Sequence, residues 1–152
     1  MPEHERKPLY VKKIFQPKTY DIDFAGHVSN IVYIRWLEDL RLLLLDTYLP
    51  LSILMERGIA PVVMRTTIDY RKPVKLFDIV EGAMWASSVE NVKGILSAEF
   101  IVNGTVVAAA DQTGLFVRLQ GGRPVAFPDE FKQKFAESKN SIRPLNPLGD
   151  QS

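Results

Sequence analysis

NIVYIRWLEDLRLLLLDTY, residues 30–48, decides the fold. Tyr33, Trp36, Leu37, Leu40, Leu43, Leu44 and Thr47 recur at helical spacing and form one stripe. Ile31, Ile34, Leu42 and Leu45 add apolar character elsewhere around the cylinder, leaving Arg35, Asp39 and Asp46 as a narrow polar strip. The spacing predicts one long helix covered on most of its sides. Pro50 breaks it, and SILMERGI (52–59) predicts a short second helical segment stopped by Gly58.

On either side of this helix the period changes. LYVKKIF (9–15) reads as a first strand ending before Pro17. In VMRTTIDYRK (63–72), Met64, Thr66, Ile68 and Tyr70 alternate with Val63, Arg65, Thr67, Asp69 and Arg71, which is strand spacing. Three further strands are expected at 78–89, 94–103 and 105–119. Asn103-Gly104 is the signature of a two-residue hairpin turn, and ENVKG (90–94) supplies a looser one, so these three strands should form an antiparallel meander. FPDEFKQKFAES (127–138) reads as a terminal helical turn. Residues 1–138 are expected to make a single domain, and the polar, proline-containing residues 139–152 a disordered tail. Several long strands and one long helix give an α+β class. The helix is buried either by a curved antiparallel sheet wrapped around it or by that sheet together with an oligomer partner.

Composition narrows the function classes. Nineteen Lys and Arg against 18 Asp and Glu leave a formal net charge of +1, so nothing calls for a nucleic-acid partner. There is no cysteine, which excludes disulfides, cysteine-based zinc sites and a thiol nucleophile. His4 and His27 lie in different segments, and a metal site would need carboxylates to complete its ligands. The longest strongly apolar stretch, residues 40–55, is interrupted by Asp46 and Pro50 and is too short to span a bilayer, so no membrane segment is expected. MPEHERKP lacks the apolar run of a signal peptide, and the expected location is cytoplasmic.

The candidate chemistry lies just ahead of the helix, in YDIDFAGHVSN (20–30). A helix N-terminus presents unpaired N–H groups and partial positive charge, and it can hold a carbonyl oxygen that becomes an anion during acyl transfer. Asp23 can attack an acyl carbon directly or deprotonate a water that does so. Gly26 would let the backbone approach a ligand or take a positive φ, and His27 can bond the substrate or orient the carboxylate. Each residue also has a structural role open to it: Asp21 and Asp23 as caps or turn formers, Gly26 as a turn glycine.

Tyr20 to Arg41, YDIDFAGHVSNIVYIRWLEDLR, resembles the hotdog-fold thioesterases of the 4-hydroxybenzoyl-CoA thioesterase type, which carry an Asp-x-Asp, a small-residue pair and a His-Val-Asn-Asn-like run before the central helix. IDYRKPVKLFDIVEG (68–82) and GRPVAFPDEF (122–131) are similar to later parts of the same family. The resemblance implies a hotdog fold, a curved antiparallel sheet wrapped around one long central helix. It implies hydrolysis of an acyl-CoA or acyl-carrier-protein thioester to a free acid and a thiol, with no cofactor and no metal. Carried over by position, Asp23 takes the catalytic carboxylate's place and the Asn30 N–H the place that polarises the thioester carbonyl. Gly26, His27 and Asp21 support them. Ser29 stands where the first asparagine is usual, and serine can cap a helix as well. Glu38 is a reserve catalytic carboxylate whose simpler role is an ion pair with Arg41. Arg65, Arg71, Lys72, Lys75, Arg118 and Arg123 are available to phosphates or an acidic carrier protein, or serve as ordinary solvated charges. Two alternatives remain at this stage: a hotdog hydratase or dehydratase, disfavoured because the run from Asp23 to His27 lacks Asn-Pro, and a non-catalytic acyl-thioester binding protein. A sheet with an exposed edge implies a homodimer or homotetramer.

Overall fold

The computed structural model describes residues 7–141. Strand β1 (Val11–Phe15) leads through a 3-10 turn (Thr19–Asp21) into helix α1 (Asn30–Tyr48) and short helix α2 (Leu51–Glu56). Strands β2 (Ile59–Tyr70), β3 (Val80–Val89), β4 (Lys93–Val102) and β5 (Thr105–Arg118) follow, then the two-residue β6 (Pro124–Val125) and helix α3 (Asp129–Ser141). All strand pairs are antiparallel, in the order β1-β3-β4-β5-β2, with β6 added beside β5. The expected meander is β3-β4-β5, and the Asn103-Gly104 turn takes positive φ at both residues, 50° and 78°.

Helix α1 buries Val32, Tyr33, Trp36, Leu37, Leu40, Leu44 and Leu45 against the sheet, each side chain stabilising the fold by roughly 1.5–3 kcal/mol when fully removed from water. Phe15 stacks on Trp36 with ring centroids 5.1 Å apart, and Phe100 meets Tyr33 edge-on at 5.3 Å. Gly82 on β3 makes this close approach possible. A Cβ there would sit 2.6 Å from the Phe15 ring and 3.2 Å from Leu40. Trp36, Leu37 and Leu40 are thus core residues.

Four expectations are corrected. Helix α1 is not covered on most sides within one chain: Ile31, Ile34 and Leu42 are exposed on one flank, because the sheet supplies a single wall. Strand β2 begins at Ile59, four residues before the alternating run. Pro61, which weakens a strand reading, is tolerated on a strand at the sheet edge. Glu38 and Arg41 make no ion pair among the described residues, since the Arg41 guanidinium turns to Gln112. Helix α3 continues to Ser141, so residues 139–141 are helical rather than tail. The rest of the expected tail, and His4, lie outside the described residues.

Candidate active site

The turn before α1 is built by its two aspartates. Asp21 is 6% exposed and its Oδ2 accepts from the Lys18 N–H at 2.8 Å, while its carbonyl accepts from Ser29 N–H at 2.8 Å. This side chain folds the turn. Asp23 Oδ1 accepts from the N–H groups of Ala25 at 2.9 Å and His27 at 3.2 Å, an Asx-type turn that leaves Oδ2 for other work. The Asp23 N–H in turn donates to the His27 carbonyl at 2.7 Å. His27 therefore orients Asp23 through its backbone. Gly26 sits at the tip with φ +81° and open space around it, the conformation a turn glycine provides.

Ser29 occupies the N-cap position of α1, but its hydroxyl makes no cap hydrogen bond. The first N–H groups of the helix consequently keep their donors free of side-chain capping, and the Asn30 N–H has no acceptor among the described residues. On the other face of the same residue, Tyr70 Oη donates to the Asn30 carbonyl at 3.0 Å, tying the end of β2 to the start of α1.

Asp23, His27, Val28, Asn30, Tyr33, Tyr70, Arg71, Lys72 and Pro73 line one open pocket of about 190 Å³. Tyr33 is buried at its floor, edge-on to Tyr70 with ring centroids 5.2 Å apart. Burial, with Tyr70 and Asp78 adding, pushes the Tyr33 hydroxyl up to about 12, so it stays protonated through the physiological range. Of the residues singled out in the sequence, Asp23, His27 and Asn30 meet here. Asp21 turns away into the loop, and Glu38, exposed on α1, is not among the residues lining this pocket. Sequence reasoning missed Tyr33 as a pocket wall and Tyr70 as a brace. The signal for Tyr70 was its place directly before Arg71-Lys72-Pro73, two of whose side chains carry positive charge into the same pocket.

The pattern of the thioesterase-like superfamily matches residues 17–135, which include the turn, α1 and the whole sheet after it. The chain belongs to the thioesterase-like superfamily. The curated long-chain acyl-CoA thioesterase FadM of Escherichia coli K12 is 28% identical over 120 residues, 78% of this chain and 91% of FadM. Among solved structures, a DHNA-CoA thioesterase from Staphylococcus aureus superposes with a TM-score of 0.81 over 90% of this chain and 97% of its own, at 13% identity. The probable thioesterase YbaW from Escherichia coli superposes with a TM-score of 0.71 over 87% and 98% of the two chains, at 25% identity. As a member of this superfamily the protein is a thioester hydrolase with the hotdog fold. No helix among the described residues is long and apolar enough to cross a membrane.

Proposed function

We propose that the protein hydrolyses an acyl-CoA thioester in the pocket at the start of α1, with Asp23 as the catalytic carboxylate and the Asn30 N–H as the donor to the thioester oxygen. One observation carries this reading: a carboxylate with a free oxygen and a helix N–H without an acceptor line the same pocket. The names of the thioesterases similar to this chain support coenzyme A as the thiol carrier. Arg71 and Lys72 at the rim suit its phosphates.

In the general-base route, Asp23 Oδ2 takes a proton from water as the water oxygen bonds to the acyl carbon, and the carbonyl electrons move onto oxygen beside the Asn30 N–H. Collapse breaks the C–S bond, the thiolate recovers the proton from Asp23, and acid and thiol leave. In the nucleophilic route Oδ2 bonds to the acyl carbon first, the thiolate departs, and water adds to the Asp23 carboxyl carbon of the mixed anhydride, which regenerates the carboxylate, releases the acid and supplies the thiolate's proton. Labelled water separates the two, because a single turnover puts solvent oxygen into the product acid in the first route and into Asp23 in the second.

The working unit in this reading is a homodimer. Val62, Val63 and Met64 are exposed on the edge strand β2, and Ile31, Ile34 and Leu42 on the uncovered flank of α1, so one partner can cover both sets. The test of the site is thiol release from a panel of acyl-CoA esters by the native protein and Asp23→Asn. Asparagine keeps the acceptor for Ala25 and His27 and removes the base, so a folded variant should lose at least about a hundredfold in kcat. A folded variant with native turnover would remove Asp23 from the chemistry.

A further inference from the structure

Three turns of α1 beyond Asn30, the helix returns to the same side, roughly 16 Å further along its axis. Arg41 stands there. Its Nη1 donates to Gln112 Oε1 at 2.9 Å, and Gln112, 3% exposed, donates from Nε2 to Thr66 Oγ1 at 3.1 Å. The amide is therefore fixed in one orientation, with its oxygen spent on the guanidinium. No carboxylate lies within 4.0 Å of Arg41 among the described residues. Burial holds its pKa below the usual arginine value, with only partial compensation from Glu38. A guanidinium has five donors, and here one is used among the described residues. A half-buried cation in that condition calls for an acceptor from outside.

The surroundings say what kind. Arg41 borders an apolar cavity of about 90 Å³ lined by Leu44, Leu45, Val62, Leu96, Phe116 and Phe127. That is several times the space one water needs, and walls of this composition favour hydrocarbon over water. The opposite wall of the seam gives the same span. On β2, Tyr70 is bonded to Asn30 at one end and Thr66 to the Gln112–Arg41 pair at the other, with Ile68 between them on the same face. The four residue steps from Thr66 to Tyr70 cover about 14 Å. At about 1.2 Å per bond of extended chain, 14 to 16 Å corresponds to roughly a dozen carbons.

We infer that the seam between α1 and β2 takes the acyl tail and that Arg41 selects chains carrying an oxygen, as hydroxyl or oxo group, about a dozen carbons from the thioester. Hydrocarbon beyond that oxygen enters the apolar cavity. This rests on the proposed thioesterase site, since it is measured from Asn30.

The experiment compares kcat/KM for octadecanoyl-CoA with and without a hydroxyl about a dozen carbons from the carbonyl, in the native protein, Arg41→Met and Arg41→Lys. A second pair, dodecanoyl-CoA and its ω-carboxylate counterpart, asks whether a terminal anion serves as well. The native protein should favour the hydroxylated chain by about tenfold or more, a charged hydrogen bond's worth. The ratio should fall toward one in Arg41→Met and be partly kept in Arg41→Lys. A native ratio near one overturns the inference. So does a ratio that survives Arg41→Met, which is what a bracing arginine or one paired with a second copy would give, since both substrates then suffer alike. Preference confined to the ω-carboxylate would also overturn it, by showing that the chain ends at Arg41. If no ester is hydrolysed, the proposed catalytic site fails by itself. The same pairs, as non-hydrolysable thioethers, then decide the inference from the ratio of their Kd values.

Discussion

Proline at position 30 would remove one hydrogen atom that the proposed chemistry needs and almost nothing that the fold needs. Asn30 is the first residue of α1, where proline is well accommodated because its missing N–H has no helical partner to lose. The residue before a proline must be extended, and Ser29 already has φ −63° and ψ 143°. The Asn30 carbonyl, which accepts from Tyr70, is kept. The expected change in unfolding free energy is therefore within about 1 kcal/mol. Loss of one preorganised oxyanion donor typically costs about 100- to 1000-fold in kcat, or about 2.7–4 kcal/mol of transition-state stabilisation. Asn30→Ala is the control, since it removes the side chain and keeps the N–H, and its kcat should stay within about threefold of native. Thiol release from the preferred acyl-CoA would be measured for all three proteins, with denaturant unfolding beside it. A folded Asn30→Pro that turns over like Asn30→Ala would refute the assignment of this N–H, and with it the pocket's role as the acyl-transfer site.

Three further outcomes follow from particular contacts. The native state holds the Tyr33 proton more tightly than the unfolded chain, about 12 against an ordinary value near 10, so this contribution is complete below about pH 10 and is lost between about 10 and 12. That shift amounts to roughly 3 kcal/mol, and Tyr33→Phe should lose that much less stability than native over this range in denaturant titrations. Gly82→Ala should destabilise the protein by about 1–3 kcal/mol in the same assay, because its Cβ would meet the Phe15 ring at 2.6 Å; an unchanged midpoint would mean that the ring moves freely. Leu42→Lys, on the uncovered flank of α1, should shift the proposed dimer toward monomer in light scattering at micromolar concentration, and a native protein that is already monomeric there would count against the dimer.

The elements that were legible in the sequence are those in which a period speaks for itself. Helix α1 was readable to its end residues because its apolar stripe persists over the whole run, and the hairpin at Asn103-Gly104 because two adjacent positive φ values select those residue types. Periodicity does not say what covers an apolar residue. Ile31, Ile34 and Leu42 raised the apolar count of α1 exactly as core leucines do, yet the chain leaves them exposed. Spacing likewise put Glu38 and Arg41 within reach on a helix, but it could not reveal Gln112, distant in sequence, as a competing partner. At the candidate site the Asp-x-Asp was visible, though not its division of labour: the turn aims different N–H groups at Asp21 and Asp23, burying the first and leaving the second at the pocket.

What joins these separate residues into one site is the register of β2. Thr66 pairs with Gln112 and Tyr70 with Ala108 on β5, in an uninterrupted stretch that begins after the irregularity between Val63 and Arg65. Successive strand residues face opposite sides, so a slip by one position would turn Tyr70 away from Asn30 and Thr66 away from Gln112 together. The small residues Ala108 and Ala110 stand opposite Tyr70 and Ile68 in that register and lie buried, where larger side chains would compete for space with the aromatic floor of α1. The start of the helix and Arg41 are thus both held to one strand, and a substitution that shifts β2 is expected to disturb the proposed acyl-transfer pocket and the inferred tail site at once. Separate effects on turnover and on chain preference can arise only from changes that leave the register intact, as Asp23→Asn and Arg41→Met are chosen to do.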